Sequence, residues 1–277
     1  MIKEEFFVDN TTALRYVKEM LDFNERVTMN LFYLILSDSK AYVWSDHKNF
    51  IICQPNDQMP MWVWLADDID TDATECVTDI IAARVLLNSN IQINISAAAG
   101  KQVLRIACEK SGANLEKVMD LNAYVCKNVI EPEYDGVCVV PQKSDREAMV
   151  ALINEFVEDA EHQIITNEEA EGFADSMIGS HNLSLWKCND EVYAMAMIAH
   201  KTNEIARINS VVTLREKRGN GYAGMLISKI CKALIEDNII PMLYADADNP
   251  SSNRAYQKIG FEKVGEVTQY KFDRKAI

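Results

Sequence analysis

Long apolar runs are missing from this chain. No stretch of eighteen apolar residues occurs in its 277 residues, so no transmembrane helix is expected. The opening Met1-Ile2-Lys3-Glu4-Glu5-Phe6-Phe7 lacks the apolar centre of a secretory leader. The seven cysteines form no Cys-x-x-Cys pair and are odd in number, which reads as buried thiols rather than disulfides or zinc ligands. The four histidines, His47, His162, His181 and His200, show no ligand spacing, so no metal is expected. Positive charge is also short. Twenty-eight Lys and Arg face 42 Asp and Glu, a net charge of −14. Such a field repels nucleic acid and anionic membranes and favours a cationic partner such as an amine. Solubility is the blander explanation of the same charge, and the favoured one. A cytoplasmic protein without nucleic-acid or membrane partners is the expectation. What is present is ample core material, 48% apolar residues against 25% charged. The length allows one large domain or two ordinary ones.

Against the acidic background one basic segment stands out. Ile208 to Thr213 reads as a strand. Leu214-Arg215-Glu216-Lys217-Arg218-Gly219-Asn220-Gly221 follows, and an apolar helical pattern begins at Tyr222. A loop entering a helix presents unpaired N–H groups and the positive end of the macrodipole, which suits a phosphate or pyrophosphate. Glycines allow close backbone approach, and Arg218 adds a fork of donors. The loop has neither the G-x-G-x-x-G spacing nor the Lys-Ser/Thr ending of the common nucleotide loops.

A second segment, Asn249-Pro250-Ser251-Ser252-Asn253-Arg254-Ala255-Tyr256-Gln257-Lys258-Ile259-Gly260-Phe261, completes a pattern. Arg218, Gly221 and Ala223 resemble the Arg/Gln-x-x-Gly-x-Gly/Ala motif of the GNAT superfamily of N-acetyltransferases. Asn249, Tyr256, Gly260 and Phe261 resemble that family's Asn-x(6)-Tyr-x-x-x-Gly-Phe. The spacing fits one helix, one buried strand and a turn, and the resemblance covers about residues 136–277. It departs from a common family pattern at Leu214-Arg215, where Pro-Pro often stands.

The resemblance implies an α/β fold of the GNAT type and acetyl-CoA as co-substrate. Pantetheine would lie along Asn209, Ser210 and Val211, with the Val211 N–H a candidate oxyanion donor. Pyrophosphate would sit on Lys217, Arg218, Gly219, Asn220, Gly221, Tyr222 and Ala223. Asn249 would contact the cofactor and Tyr256 would act as general acid to the departing thiolate. The residues also support plainer roles. Asn249 before Pro250 is a helix cap, and a tyrosine at helical spacing is core packing. The general base is not legible; Glu204, Asp246 and Asp248 are candidates by position alone.

Glu131 to Pro141 combines turn formers with a short apolar run, and a domain boundary is expected near Asp135, dividing residues 1–135 from 136–277. In the second half, Val137–Val140 reads as a strand and Ser144-x-x-Glu147 as a capping box. Met149, Leu152, Ile153, Phe156 and Val157 follow helical spacing, and a second helix is expected over 168–177. Strands are expected at 183–187, 191–200 and 204–213, then a helix to about Glu236 and a strand over 240–245. A helix over 252–259 and two short strands, 261–267 and 268–272, end the chain.

The first half repeats this order. Helices are expected around residues 14–21 and over 25–36, then strands at 41–45, 49–54 and 61–65. A helix around 77–85, a strand at 91–95, a helix over 99–111 and a strand over 120–126 follow. Glu109-Lys110-Ser111-Gly112 lies 148 residues before Gln257-Lys258-Ile259-Gly260. A degenerate internal repeat follows from this offset, a tandem GNAT-like chain, although two ordinary α/β domains could share such an order. Shifted by 148, the basic loop falls on Asp70-Thr71-Asp72-Ala73, Tyr256 on Cys108 and Asn249 on Lys101. That loop has two carboxylates and no glycine, so the first half is expected to lack a cofactor site and to shape the substrate pocket. Three functions remain open: an N-acetyltransferase acting on an amine, a CoA-responsive binding protein, and an aminoacyltransferase of the tandem type. The acidic charge disfavours the last, because tRNA binding rests on phosphate neutralisation.

Overall fold

The computed structural model describes residues 6–96, 100–161 and 163–274. Three helices open the chain, α1 (Asn10–Met20), α2 (Phe23–Thr28) and α3 (Leu31–Ile35). The second expected helix, over 25–36, is therefore interrupted at Met29-Asn30. Strands β1 (Tyr42–Ser45), β2 (Phe50–Gln54) and β3 (Met61–Leu65) precede α4 (Thr71–Leu87), β4 (Gln92–Ile95), α5 (Gly100–Ser111) and β5 (Asn114–Cys126). The expected start of α5 at Ala99 lies outside the described residues.

The remainder runs β6 (Val137–Val139), α6 (Arg146–Glu161), α7 (Asn167–Ser180), β7 (Leu183–Cys188), β8 (Glu191–Lys201) and β9 (Ile205–Thr213). It ends with α8 (Tyr222–Glu236), β10 (Ile240–Asp246), α9 (Pro250–Lys258) and β11 (Phe261–Asp273). The two short terminal strands expected from the sequence are one strand, because Val267-Thr268 offers β-branched residues and no turn former. The capping box shifts as well. Asp145, not Glu147, reaches back, and its Oδ2 accepts from the Gln142 N–H at 2.9 Å.

Contacts divide the chain into two compact units. One comprises Met1–Ala123, Ala245–Asp248 and Val264–Ile277; the other comprises Tyr124–Tyr244 and Asn249–Lys263. These do not coincide with the expected ranges 1–135 and 136–277. In the first unit, β1, β2 and β3 are antiparallel neighbours, and β3 and β4 pair in parallel, with Trp62 opposite Asn94. The strand that continues this sheet beyond β4 is β11, from the end of the chain, with Tyr270 opposite Ile93. The C-terminal residues count with the first unit for that reason. All five residues of β2 and of β3 are buried, so Phe-Ile-Ile-Cys-Gln and Met-Trp-Val-Trp-Leu read as unbroken runs instead of alternating ones. Val77, Ile80, Ile81 and Val85 of α4 and Val103 and Leu104 of α5 close its core.

In the second unit the strands run β10-β9-β8-β7-β6. The β9–β10 pair is parallel and the other pairs are antiparallel. Met149, Leu152, Ile153 and Val157 of α6 and Ala170 and Ala174 of α7 pack on Leu183, Leu185, Met195 and Val212. Each large apolar side chain so buried contributes about 1.5–3 kcal/mol. Helix α8 lies against β7, β8 and β9 but shares no residue with that cluster, so it covers the opposite face.

The repeat inferred from the sequence has a structural counterpart. Elements β3, α4, β4, α5 and β5 recur in the same order as β9, α8, β10, α9 and β11, each set built around a parallel strand pair.

Candidate active site

Strand β9 governs the site in the second unit. Its sequence, Ile-Ala-Arg-Ile-Asn-Ser-Val-Val-Thr, is rich in β-branched residues and alternates in burial from Ala206 onward. The parallel ladder with β10 runs from Ile205 opposite Ile240 to Ile208 opposite Leu243 and ends there, although β9 continues to Thr213. On its other edge β9 holds an extra residue. Met197 faces Asn209 but Met195 faces Val212, so three steps on β9 match two on β8. Ser210, in the extra span, has φ +50° and is buried. A bulge of this kind leaves a residue outside the ladder and re-aims its backbone. Asn209, Ser210 and Val211 thus occupy an irregular segment that begins where β9 and β10 cease to pair.

The chain then passes through one 3-10 turn, Arg215–Lys217, to the loop before α8. Gly219 and Gly221 have φ of +83° and +84°, a region that side chains other than glycine enter at a cost. A Cβ at Gly219 would meet nothing within 4 Å, and one at Gly221 only the Met225 Cε at 3.9 Å. The glycines serve backbone conformation and leave open space beside it. Gly221 is the N-cap of the fifteen-residue α8, and no side chain caps that helix. Its first N–H groups and the positive end of its dipole therefore face the open side of the loop, including those of Tyr222 and the half-buried Ala223. Asn220 Nδ2 donates to the Lys217 carbonyl at 3.0 Å and holds the turn closed. The Lys217 ammonium sits 4.4 Å from the centre of the Tyr193 ring, which also meets the Tyr222 ring at 5.0 Å.

The cations of the loop are not aimed as expected. Arg218 Nε donates to the Thr213 carbonyl at 2.9 Å, and its Nη2 lies 3.1 Å from Glu155 and 2.7 Å from Asp159. Arg215 pairs with Glu158 and Asp159, each at 2.8 Å, and its N–H donates to Glu155 at 2.9 Å. These acids lie on one face of α6. The hydrogen bond from Arg215, and then that from Arg218, holds the Asp159 carboxyl below its ordinary range. Arg218 in this arrangement fastens the loop to α6.

Asn249 caps α9, as its plainer role required. Its Oδ1 accepts from the Ser252 N–H at 3.0 Å and Pro250 occupies the first turn. The Tyr256 ring is buried edge-on to Phe261 at 5.9 Å, and burial pushes its hydroxyl up to about 12. That hydroxyl has no hydrogen-bond partner among the described residues. Glu204 precedes β9, six residues before Ser210, which is ~20 Å along a strand. That distance removes it from direct proton transfer at the bulge. Asp246 ends β10 and accepts from the Asp248 N–H at 2.9 Å, a local turn.

Two groups here escaped the sequence reading. Arg207 and His200 are direct neighbours across β9 and β8. The Arg207 Nε and the His200 Nδ1 are sealed from solvent without a hydrogen-bond partner among the described residues. The available signal was a lone cation inside the apolar run Ile205-Ala206-Arg207-Ile208.

In the first unit, the loop at the 148-residue offset has its helix N-terminus capped by a side chain. Asp70 caps α4, its Oδ1 accepting from the Ala73 N–H at 2.9 Å, and Lys48 and Asn49 bond to its other oxygen at 3.4 and 3.2 Å. The Ala73 N–H, with those side chains, draws the Asp70 carboxyl below its usual value. A carboxylate stands where the second unit keeps bare N–H groups. Among the described residues no helix is long and apolar enough to cross a membrane, and no group of three or more His, Cys, Asp or Glu could hold a metal ion.

Solved structures share this architecture over nearly the whole chain. A GNAT-family acetyltransferase from Colwellia psychrerythraea superposes with a TM-score of 0.58 at 12% identity, covering 96% of this chain and 98% of its own. A Drosophila protein gives 0.63 at 12% identity over 98% of both chains. A GCN5-related N-acetyltransferase from Kribbella flavida gives 0.58 at 12% identity, covering 91% and 96%. At such identities the likeness establishes the fold, and that fold is the GNAT fold. Residues 188–271 match the family model described as FR47-like protein, a span that holds β9, the loop, Asn249 and Tyr256. The fold and this match agree with the motif resemblance to the GNAT superfamily. Among curated proteins no match is found.

Proposed function

We propose that the chain is an acetyl-CoA-dependent N-acetyltransferase acting on an amine, with its chemistry in the second unit. One observation carries the reading: the β9–β10 ladder ends at Ile208 and Leu243, beside a bulge, on a strand that leads into an uncapped helix N-terminus. The uncapped N–H groups of α8 would bind the pyrophosphate, with Gly219 and Gly221 permitting close approach. Backbone groups of Asn209–Val211, freed from the ladder, would pair with pantetheine and supply the oxyanion donor. Transfer forms a C–N bond, breaks the C–S bond, and leaves a proton on the new amide nitrogen to be removed. Tyr256 would assist the sulfur. With its hydroxyl near 12 it stays protonated throughout the neutral range. Full transfer of its proton to a thiolate of ordinary pKa, about 8.5, is uphill by ~3 units or more, so Tyr256 acts as a hydrogen-bond donor to the leaving sulfur. This narrows the general-acid role implied by the resemblance.

The test is thiol release. Acetyl-CoA is incubated with a panel of primary amines, and free CoA and acetylated product are measured together. Amine-dependent release in equal amounts supports the reading. Acetyl-CoA binding without release for any amine leaves a CoA-responsive binding protein, and absence of binding removes both.

A further inference from the structure

We infer that Arg207, with His200 beside it, is the anion-recognition site for the acceptor, so that the amines this protein acetylates carry a carboxylate. The inference rests on the function proposed above and names the acceptor class for that site.

Arg207 occupies the rung opposite Met242, one residue before the parallel ladder ends at Ile208 and Leu243. It lies two residues from Asn209, on the same face of the sheet, and Asn209 faces Met197. Met197 packs against the α6–α7 cluster, so Arg207 emerges on that face. Helix α8 and its uncapped N-terminus belong to the other face. A molecule held by that N-terminus reaches the end of the ladder from the α8 side and leaves the α6–α7 side to a second substrate. Arg207 stands on the floor of that second approach. The bulge at Ser210 is three residues away, ~10 Å along the strand, a span that the arginine side chain and an amino acid or dipeptide bridge together.

The electrostatics of the group call for an anion. Arg207 is half-buried and its Nε is sealed from solvent; a charge partly withdrawn from water in this way is ordinarily paired, because desolvating an isolated charge is costly. Arg84 shows the ordinary case: it is buried and tied to the Gln54 amide oxygen and the Asp57 carboxylate. Arg207 has no hydrogen-bond or ion-pair partner among the described residues, and its Nε is sealed. Burial lowers its pKa, and the acidic group that acts on it is the weakly acidic phenol of Tyr244. Burial, and then Arg207, lower His200, so the imidazole stays neutral at pH 7 and offers an N–H without a second charge. The sealed Nε and Nδ1 are out of a ligand's reach; the two Nη groups of Arg207 and the Nε2 of His200, which are not sealed, suit a single carboxylate, which accepts a fork of two N–H groups and a third donor.

The experiment uses the full chain as wild type, R207Q and R207K, with amino acids and dipeptides each compared with its C-terminal amide. Acetyl-CoA affinity is measured first by calorimetry; if the wild type does not bind it, the proposed function has failed and not this assignment alone. With binding in place, kcat/KM from thiol release is expected to favour the free acids at least tenfold over their amides. R207Q should lower the acids by about a hundredfold and bring the acid-to-amide ratio within about threefold. R207K should keep part of the preference and guards against a folding defect in R207Q. In thermal unfolding with CoA present, a preferred acid should raise the melting temperature of the wild type more than that of R207Q. Preference for dipeptides over single amino acids, or the reverse, would assign the source of the carboxylate. Equal turnover of acids and amides by the wild type would overturn the inference. So would an R207Q variant that loses both alike, or a panel in which no acid is bound or acetylated.

Discussion

Gly221 offers a controlled test of how the loop before α8 binds its anion. Two substitutions separate backbone from charge. Alanine at φ +84° meets no close atom, since the nearest is Met225 Cε at 3.9 Å, so its cost is conformational, about 1–2 kcal/mol. Aspartate meets the same backbone but adds a carboxylate at the N-terminus of a helix. That is the state of Asp70, which caps α4 by accepting from Ala73 at 2.9 Å. G221D should therefore melt no lower than G221A, because the cap offsets part of the strain. For acetyl-CoA the order reverses. The new carboxylate occupies N–H groups that would hold the pyrophosphate and repels it. At 4 Å two unit charges cost about 1 kcal/mol in water and about 4 at an effective dielectric of 20. An open loop lies near the lower figure, so G221D should bind at least ~10-fold more weakly than G221A, about 1.4 kcal/mol. The gap should shrink in 1 M salt, where the screening length falls to about 3 Å. Calorimetric titration at two salt concentrations, beside thermal unfolding without ligand, reads each quantity. Equal dissociation constants for the two folded variants would refute the assignment of the anion to this helix terminus.

Replacing Tyr256 by Phe should lower kcat by ~10²-fold, the size of losing one hydrogen-bond donor to developing charge, with acetyl-CoA affinity nearly unchanged; wild-type turnover would leave the ring as packing only. The same residue has a stability signature. Its folded pKa of about 12 lies above the ordinary 10, so its contribution is intact below pH 10 and is lost as pH rises toward 12. Y256F should accordingly be less sensitive to unfolding above pH 10 than the wild type. R218Q should weaken acetyl-CoA binding by loosening the loop, while costing less than about 1 kcal/mol of stability, since its ion pairs are half exposed. The Asp159 carboxyl is depressed by these arginines, so its stabilisation is present above pH ~4 and disappears as pH falls through its lowered value. An acid titration of D159N that retains the wild-type loss would contradict that pairing.

Where periodicity was strong, the sequence was legible. Met149, Leu152, Ile153 and Val157 lie together on α6 against the sheet, as their spacing required. The order of elements in both halves could be read because strands such as Met61–Leu65 and Ile240–Asp246 are bounded by turn formers and helical patterns. Pairing across long sequence separation was not legible. Nothing local in Thr268–Lys271 announces that it lies beside Ile95–Gln92, and the units therefore differ from the division at Asp135. In the site, motif glycines were legible because a positive φ limits the residue type. Side-chain direction was not. Arg218 turns to Glu155 and Asp159 because α6 brings its acids to the loop, a tertiary fact absent from the loop's own residues. The bulge at Ser210 was hidden for a similar reason: an extra residue is defined only against a partner strand.

The central claim is that one chain holds one acetyl-CoA, in the second unit, on the N-terminus of α8. Titration calorimetry of the wild type and G221D with acetyl-CoA tests it most directly. The account predicts a stoichiometry near one for the wild type, with the heat of that one site weakened by G221D and unaffected by D70N. Two sites per chain, a site abolished by D70N, or no binding at all would contradict it.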